Sequence, residues 1–230
     1  MTSHRIGAVR TTASVFGVYA GVLGMEHGYF ETLHGNVVPG GLRILASTHE
    51  LPFPFGHEPA MTVIPNFLVT GILAIVVGLA IVAWSAAFLQ KKHGAAVLFL
   101  LSVLLLLIGG GFGPLSLLTT AWIGAAGINQ PHPWWRSHLR VGFRRALAKL
   151  WPWFFVAALL WVPAEFAAGQ IFDLKNDHAQ RLTNLNLLRS YPMLAFFVLS
   201  LITSFAREIQ TQMSLDQTSP MTTVKVLPDA

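Results

Sequence analysis

The side chains able to do chemistry crowd into one stretch. Residues 25–36 read Met-Glu-His-Gly-Tyr-Phe-Glu-Thr-Leu-His-Gly-Asn, two carboxylates and two imidazoles at the end of an apolar, glycine-striped segment. A charged side chain at the bilayer centre costs roughly 2.5–3.5 kcal/mol on insertion scales, so ionisable groups in or beside a span need partners or a purpose. On a helix His27, Glu31 and His34 follow i, i+4, i+7 spacing and share a face, and Glu31-x-x-His34 is the pair spacing of carboxylate-bridged metal bundles. Such a set would hold a divalent transition metal or pass a proton.

The neighbourhood reinforces this reading. Residues 26–58 contain Glu26, His27, Glu31, His34, His49, Glu50, His57 and Glu58, which are four of the nine histidines and four of the six glutamates. Glu165, in Val-Pro-Ala-Glu-Phe, falls late in a later apolar segment and is expected at the same membrane level. Pro163 frees a backbone carbonyl one turn back that can join a site there. Glu26, Glu31 and Glu165 are therefore the candidate catalytic carboxylates, and His27, Glu31, His34, His57 and Glu58 the candidate metal ligands. The blander reading is that these groups are solvated loop residues, helix caps or an interhelical hydrogen bond.

Six apolar segments must position these residues: about 9–29, 63–89, 95–110, 115–128, 152–169 and 191–206. Each approaches the length of a helical span. The third and fourth meet at Gly109-Gly110-Gly111-Phe112-Gly113-Pro114. One unbroken helix over 94–128 would run ~50 Å, far beyond a ~30 Å hydrocarbon core. A hairpin is expected there, and a full crossing and a re-entrant dip both return the chain to the side it left. Gly17, Gly21, Gly24 and Gly28 share one face of the first segment, a spacing that lets helix backbones approach closely in lipid.

Basic residues orient the bundle. With the N-terminus inside, Arg5, Arg10, Lys91, Lys92, Arg136, Arg140, Arg144, Arg145, Lys149, Arg207 and Lys225 lie inside. Arg43, Lys175, Arg181 and Arg189 lie outside. This bias follows the positive-inside rule and puts both termini in the cytoplasm. The segment from Trp134 to Trp151 mixes Arg, Lys and Trp and reads as an interfacial helix at headgroup depth.

Composition sets the class. Of 230 residues 53% are hydrophobic and 11% charged, against about a quarter charged in soluble domains. The charge of +5 comes from basic residues beside apolar spans, which argues for topology signals and against nucleic-acid binding. With no cysteine, disulfides, thiolate metal sites and cysteine nucleophiles are excluded. There is no phosphate-binding glycine loop, no H-E-x-x-H and no G-x-S-x-G elbow.

The block Glu26-His27-Gly28-Tyr29-Phe30-Glu31 with Gly35-Asn36 resembles one found in a group of uncharacterised bacterial multi-pass membrane proteins. So do His57-Glu58-Pro59-Ala60-Met61-Thr62-Val63-Ile64-Pro65-Asn66-Phe67 and Gly109–Pro114. The likeness covers about residues 15–150; it implies a membrane class and the location of a site, and brings no activity with it.

The expectation is an all-α, polytopic helical bundle of about six membrane segments in a bacterial inner membrane. Residues 1–206 form the bundle and 207–230 a flexible cytoplasmic tail. The favoured function is a small membrane enzyme or binding protein with an outer-leaflet His/carboxylate site for a lipid-like substrate. Two rivals are a structural or accessory subunit, docking a membrane-protein partner through its glycine face, and a proton-coupled transporter gated at the glycine break. Membrane lipids are the expected partners in every case.

Overall fold

The computed structural model describes residues 7–45, 59–128, 130, 137–171 and 179–218. Among them are six helices: α1 (Ala8–Thr32), α2 (Phe67–Ala87), α3 (Gly94–Leu107), α4 (Phe112–Gly127), α5 (Val141–Ile171) and α6 (Ala179–Thr218). One short antiparallel hairpin, β1 (Arg43–Leu45) with β2 (Pro59–Met61), pairs Arg43 with Met61 and Leu45 with Pro59. The fold is all-α in its bulk. Among the described residues, three helical stretches are long and apolar enough to cross a membrane: Phe67–Ala87, Val141–Ala164 and Tyr191–Leu215.

Glycine decides how α1 meets α2. A Cβ on Gly28 would fall 2.6 Å from the Gly71 carbonyl oxygen, and one on Gly21 2.7 Å from that of Gly78. Gly71 and Gly78 face Gly28 and Gly21 in return, and Ser85 sits against Gly17. Small residues on α2 thus recur every seven positions against those of α1, and the two backbones run antiparallel in contact along their length. Gly24 departs from this seam and faces Leu105 of α3. The glycine face of the first segment is thus a packing seam filled from within the chain.

Helix α1 lies alongside α2 throughout. Its 25 residues reach ~37 Å at 1.5 Å per residue, although Arg10, Glu26 and Glu31 lower its hydropathy. On its other flank α4 also runs antiparallel: Gly111 meets His27, Gly17 meets Ala121 and Gly124 meets Ala13. The α3–α4 hairpin therefore carries its glycine break to the Glu31 end of α1 and returns to the Ala13 end.

The second half packs on α1 through aromatic rings. Phe16, fully buried, lies 5.8 Å from Phe155 of α5 and 5.5 Å from Phe197 of α6, centroid to centroid. Trp151 Nε1 donates to Thr12 Oγ1 at 2.9 Å, and the Arg207 guanidinium sits 5.0 Å over the Trp151 ring. Trp151, expected as a ring at headgroup depth, is thus also tied to α1 and α6. The basic segment from Val141 is likewise no separate interfacial helix but the first turns of α5, which continues through Pro152 and Pro163.

The C-terminal boundary also differs from expectation. Helix α6 begins at Ala179, passes Pro192 and continues to Thr218, so residues 207–218 are helical where a flexible tail was expected. The reason is packing. Ile209 is fully buried, and buried Arg144 of α5 reaches Met213 Sδ at 3.1 Å. The Glu208 carboxylate sits against Gly7, at the N-terminus of α1, where the helix dipole favours negative charge. Residues 219–230 lie outside the described set.

Candidate functional site

The site is built from the last two turns of α1. His27 and Glu31, four residues apart, stand one above the other on the same face. Both are buried: His27 is 4% exposed and Glu31 0%. The sequence puts them inside a helix because α1 runs to Thr32, one turn past the expected end of the first segment. Its close is marked by Leu33 and His34 N–H donating to Phe30 and Glu31 carbonyls, and by Gly35 at φ 71°.

What covers the pair is the glycine break between α3 and α4. Gly109 (φ 91°) lies against the Glu31 carboxylate, where a Cβ would fall 2.6 Å from Cδ. Gly111 (φ 81°) lies over His27, where a Cβ would fall 2.5 Å from Nε2. Both positions need glycine twice over, for the left-handed backbone and for the close approach. Gly111 is also the N-cap of α4, so the partial positive charge of that helix end faces the His27–Glu31 pair.

The break is held in register by the strap from Pro59 to Asn66. Gly109 N–H donates to Met61 O at 2.8 Å, Val63 N–H to Leu107 O at 2.9 Å, and Thr62 bridges to Ile108. The strap is fixed to α1's exit in turn. The Asn66 amide donates to Asn36 Oδ1, while Asn66 Oδ1 caps α2 by accepting from Val69 N–H at 3.1 Å. Phe67 N–H donates to Val37 O and Leu68 N–H to Gly35 O. The described residues of the three sequence blocks singled out by resemblance thus meet at one end of the bundle.

Chemically, Glu31 is the outlier. The Thr70 hydroxyl of α2 is within hydrogen-bonding reach of its carboxylate and also lies 3.1 Å from Phe67 O, to which it can donate instead. Neither Glu31 carboxylate oxygen has a hydrogen-bond partner of good geometry among the described residues. Leaving a buried polar group unsatisfied costs roughly 1–3 kcal/mol, more for a charged one. Such a group calls for an explanation.

The other expected site residues distribute as follows. Glu26 is half-buried, about 100° around α1 from His27, and within electrostatic reach of Tyr19. His34 is stacked on Phe67 with ring centroids 4.5 Å apart, at the first turn of α2. Glu165 lies on α5, which runs parallel to α1 (Trp151 beside Thr12, Phe155 beside Phe16). The Glu165 side chain, and all of His49, Glu50, His57 and Glu58, lie outside the described residues. Among the described residues no three His, Asp or Glu side chains gather to hold a metal ion; closed and catalytic zinc sites use at least three protein ligands. His27 and Glu31 supply two.

Sequence reasoning missed Thr70 and the roles of Gly109 and Gly111 in covering the pair. The heptad spacing of Gly71, Gly78 and Ser85 on α2, matching that of Gly21 and Gly28, was the available signal for which helix would lie beside Glu31. Comparison with known proteins yields no matching family model, no matching curated protein and no matching solved structure.

Proposed function

We propose that this chain is a multi-pass membrane enzyme or binding protein whose working site is the His27–Glu31 pair beneath the glycine break. The observation that carries the reading is the fully buried Glu31 carboxyl group, one turn from a buried imidazole and beside the Thr70 hydroxyl, with neither oxygen in a hydrogen bond of good geometry among the described residues. A carboxyl–imidazole pair at that spacing takes up and returns a proton, which is general acid–base work. The pair lies where α1 ends and α2 begins, at the edge of the hydrocarbon layer. A lipid-like substrate reaches that depth from the bilayer, which is why we assign this substrate class. With eleven of fifteen basic residues on one side, we place the site in the outer leaflet of a bacterial inner membrane and both termini in the cytoplasm.

The test is reconstitution of the native chain, Glu31→Gln and His27→Ala in nanodiscs of total bacterial lipid, followed by untargeted lipid mass spectrometry. The expected result is a lipid species consumed or retained by the native chain, reduced at least tenfold in a Glu31→Gln variant that still folds. Identical lipid profiles for native and Glu31→Gln would overturn the reading. Elemental analysis of the same samples decides whether His27 and Glu31 also hold a metal, as about one equivalent lost in His27→Ala.

A proton-coupled carrier is the second reading, favoured by the contact of the helix break with both ionisable groups. It requires pH-dependent flux in liposomes that disappears in Glu31→Gln.

A further inference from the structure

The loop leaving α1 is apolar and bare. From Leu33 to Leu42 the chain reads Leu-His-Gly-Asn-Val-Val-Pro-Gly-Gly-Leu, with no Asp, Glu, Lys or Arg. Val38 is 69% exposed and Leu42 65%, and Leu33, Val37 and Val63 are exposed too. Single exposed apolar residues are ordinary. Five of them on two adjoining segments, tipped by Pro39-Gly40-Gly41, form a patch of the kind that marks an interaction surface.

Its depth identifies the partner. Helix α2 has 21 residues and so runs ~31 Å, matching a ~30 Å hydrocarbon core, and Lys91 and Lys92 follow its far end. Its near end is therefore at the membrane interface. The loop is pinned to that end: Phe67 N–H donates to Val37 O, Leu68 N–H to Gly35 O and Thr62 N–H to Leu42 O. The exposed apolar residues Val69, Ile72, Val76 and Leu79 of α2 begin two residues from Phe67, where the loop is pinned.

We propose that residues 33–42, with Val63 beside them, form a membrane-inserted loop that buries Val37, Val38 and Leu42 among the acyl chains of the adjoining leaflet. Arg43, exposed at the end of the loop, is placed to meet lipid phosphate. The occupant is the bilayer itself. This inference depends on the depth of α2 and not on any chemistry at His27 or Glu31.

The chain has no cysteine, so single-site labelling is direct. Val38→Cys and Leu42→Cys are spin-labelled in phosphatidylcholine/phosphatidylglycerol nanodiscs, with Ile72→Cys as the lipid-facing reference and Lys92→Cys as the aqueous one. Power saturation with oxygen and a water-soluble nickel chelate reads depth. The expected result is oxygen-favoured accessibility at both loop sites, intermediate between Ile72 and Lys92. Nickel accessibility equal to that at Lys92 overturns the proposal by leaving the loop in water. Shielding from both reagents overturns it as well, by showing a protein cover. Gly40→Cys, where nothing lies within 4 Å of a Cβ, provides a second tip label if Val38→Cys fails to fold.

Discussion

Gly109 lies directly over the carboxylate of Glu31, at a backbone angle of φ 91° that disfavours any side chain and a separation that leaves no room for one. A helix break read as a topological device is thus also one wall of the site. The relationship makes the break and the carboxyl group a single unit that can be tested as such.

Replacing Gly109 by alanine introduces a left-handed alanine, worth roughly 1–2 kcal/mol, and crowding against Glu31, worth about 1–3 kcal/mol. Gly109→Ala is therefore expected to lower stability by about 2–5 kcal/mol in denaturant or thermal unfolding. Removing the obstructing side chain in Gly109→Ala/Glu31→Ala should return part of that loss. A double-mutant cycle with coupling beyond ~0.5 kcal/mol supports direct contact; strict additivity counts against it.

Glu31→Gln keeps the shape of the side chain and removes its ability to carry charge. With no hydrogen bond of good geometry to lose among the described residues, and a Thr70 hydroxyl that can still meet the amide oxygen, the variant should unfold within ~1 kcal/mol of the native chain or above it. A large loss of thermal stability would mean that the carboxylate is held by a bond essential to the fold.

The α1–α2 seam predicts a graded glycine series. Gly21→Ala and Gly28→Ala push a Cβ against backbone oxygen at 2.7 and 2.6 Å, which cannot yield without moving a helix. Each should cost about 1–3 kcal/mol. Gly24→Ala meets a flexible Leu105 methyl at 2.8 Å and should cost less, and Gly41→Ala, in open space, should stay within ~0.5 kcal/mol. Unfolding midpoints at equal detergent concentration read the order; a Gly24 effect as large as that of Gly28 would refute the assigned seam.

Asn66 serves two partners, the Val69 N–H of α2 and the Asn36 side chain. Asn66→Ala should cost about 1 kcal/mol for the cap alone and loosen the strap across the break. Asn66→Asp preserves the cap and exchanges the amide donor, so its stability should lie between those of native and Asn66→Ala. Hydrogen exchange at residues 59–66 should quicken in Asn66→Ala and not in a distant control such as Thr211→Ala.

Much of the helical framework was legible because apolar runs longer than about sixteen residues, separated by glycine, proline or charge, have few other ways to satisfy their backbone in lipid. Residues 67–87 and the break at 109–114 needed no tertiary information. His27 and Glu31 sharing a face followed from helical periodicity alone. The ends of α5 and α6 did not, because Val141–Leu150 read as part of an interfacial helix apart from the fifth segment and Arg207–Thr218 as a polar tail. Arg144 and Ile209 are buried in those turns, a packing that local pattern does not show.

Sequence by itself determined the class, the α1 face carrying His27 and Glu31, and the glycines that permit close packing, since composition and periodicity are properties of the chain. Tertiary structure alone decided that Gly71 and Gly78 are what Gly28 and Gly21 meet, that His34 stacks on Phe67 while Glu31 is buried beside Thr70, and that residues 59–66 tie the break to α1's exit. Those outcomes depend on which helix lies beside which, and close approach in lipid is a matter of shape complementarity between distant segments, which local pattern does not encode.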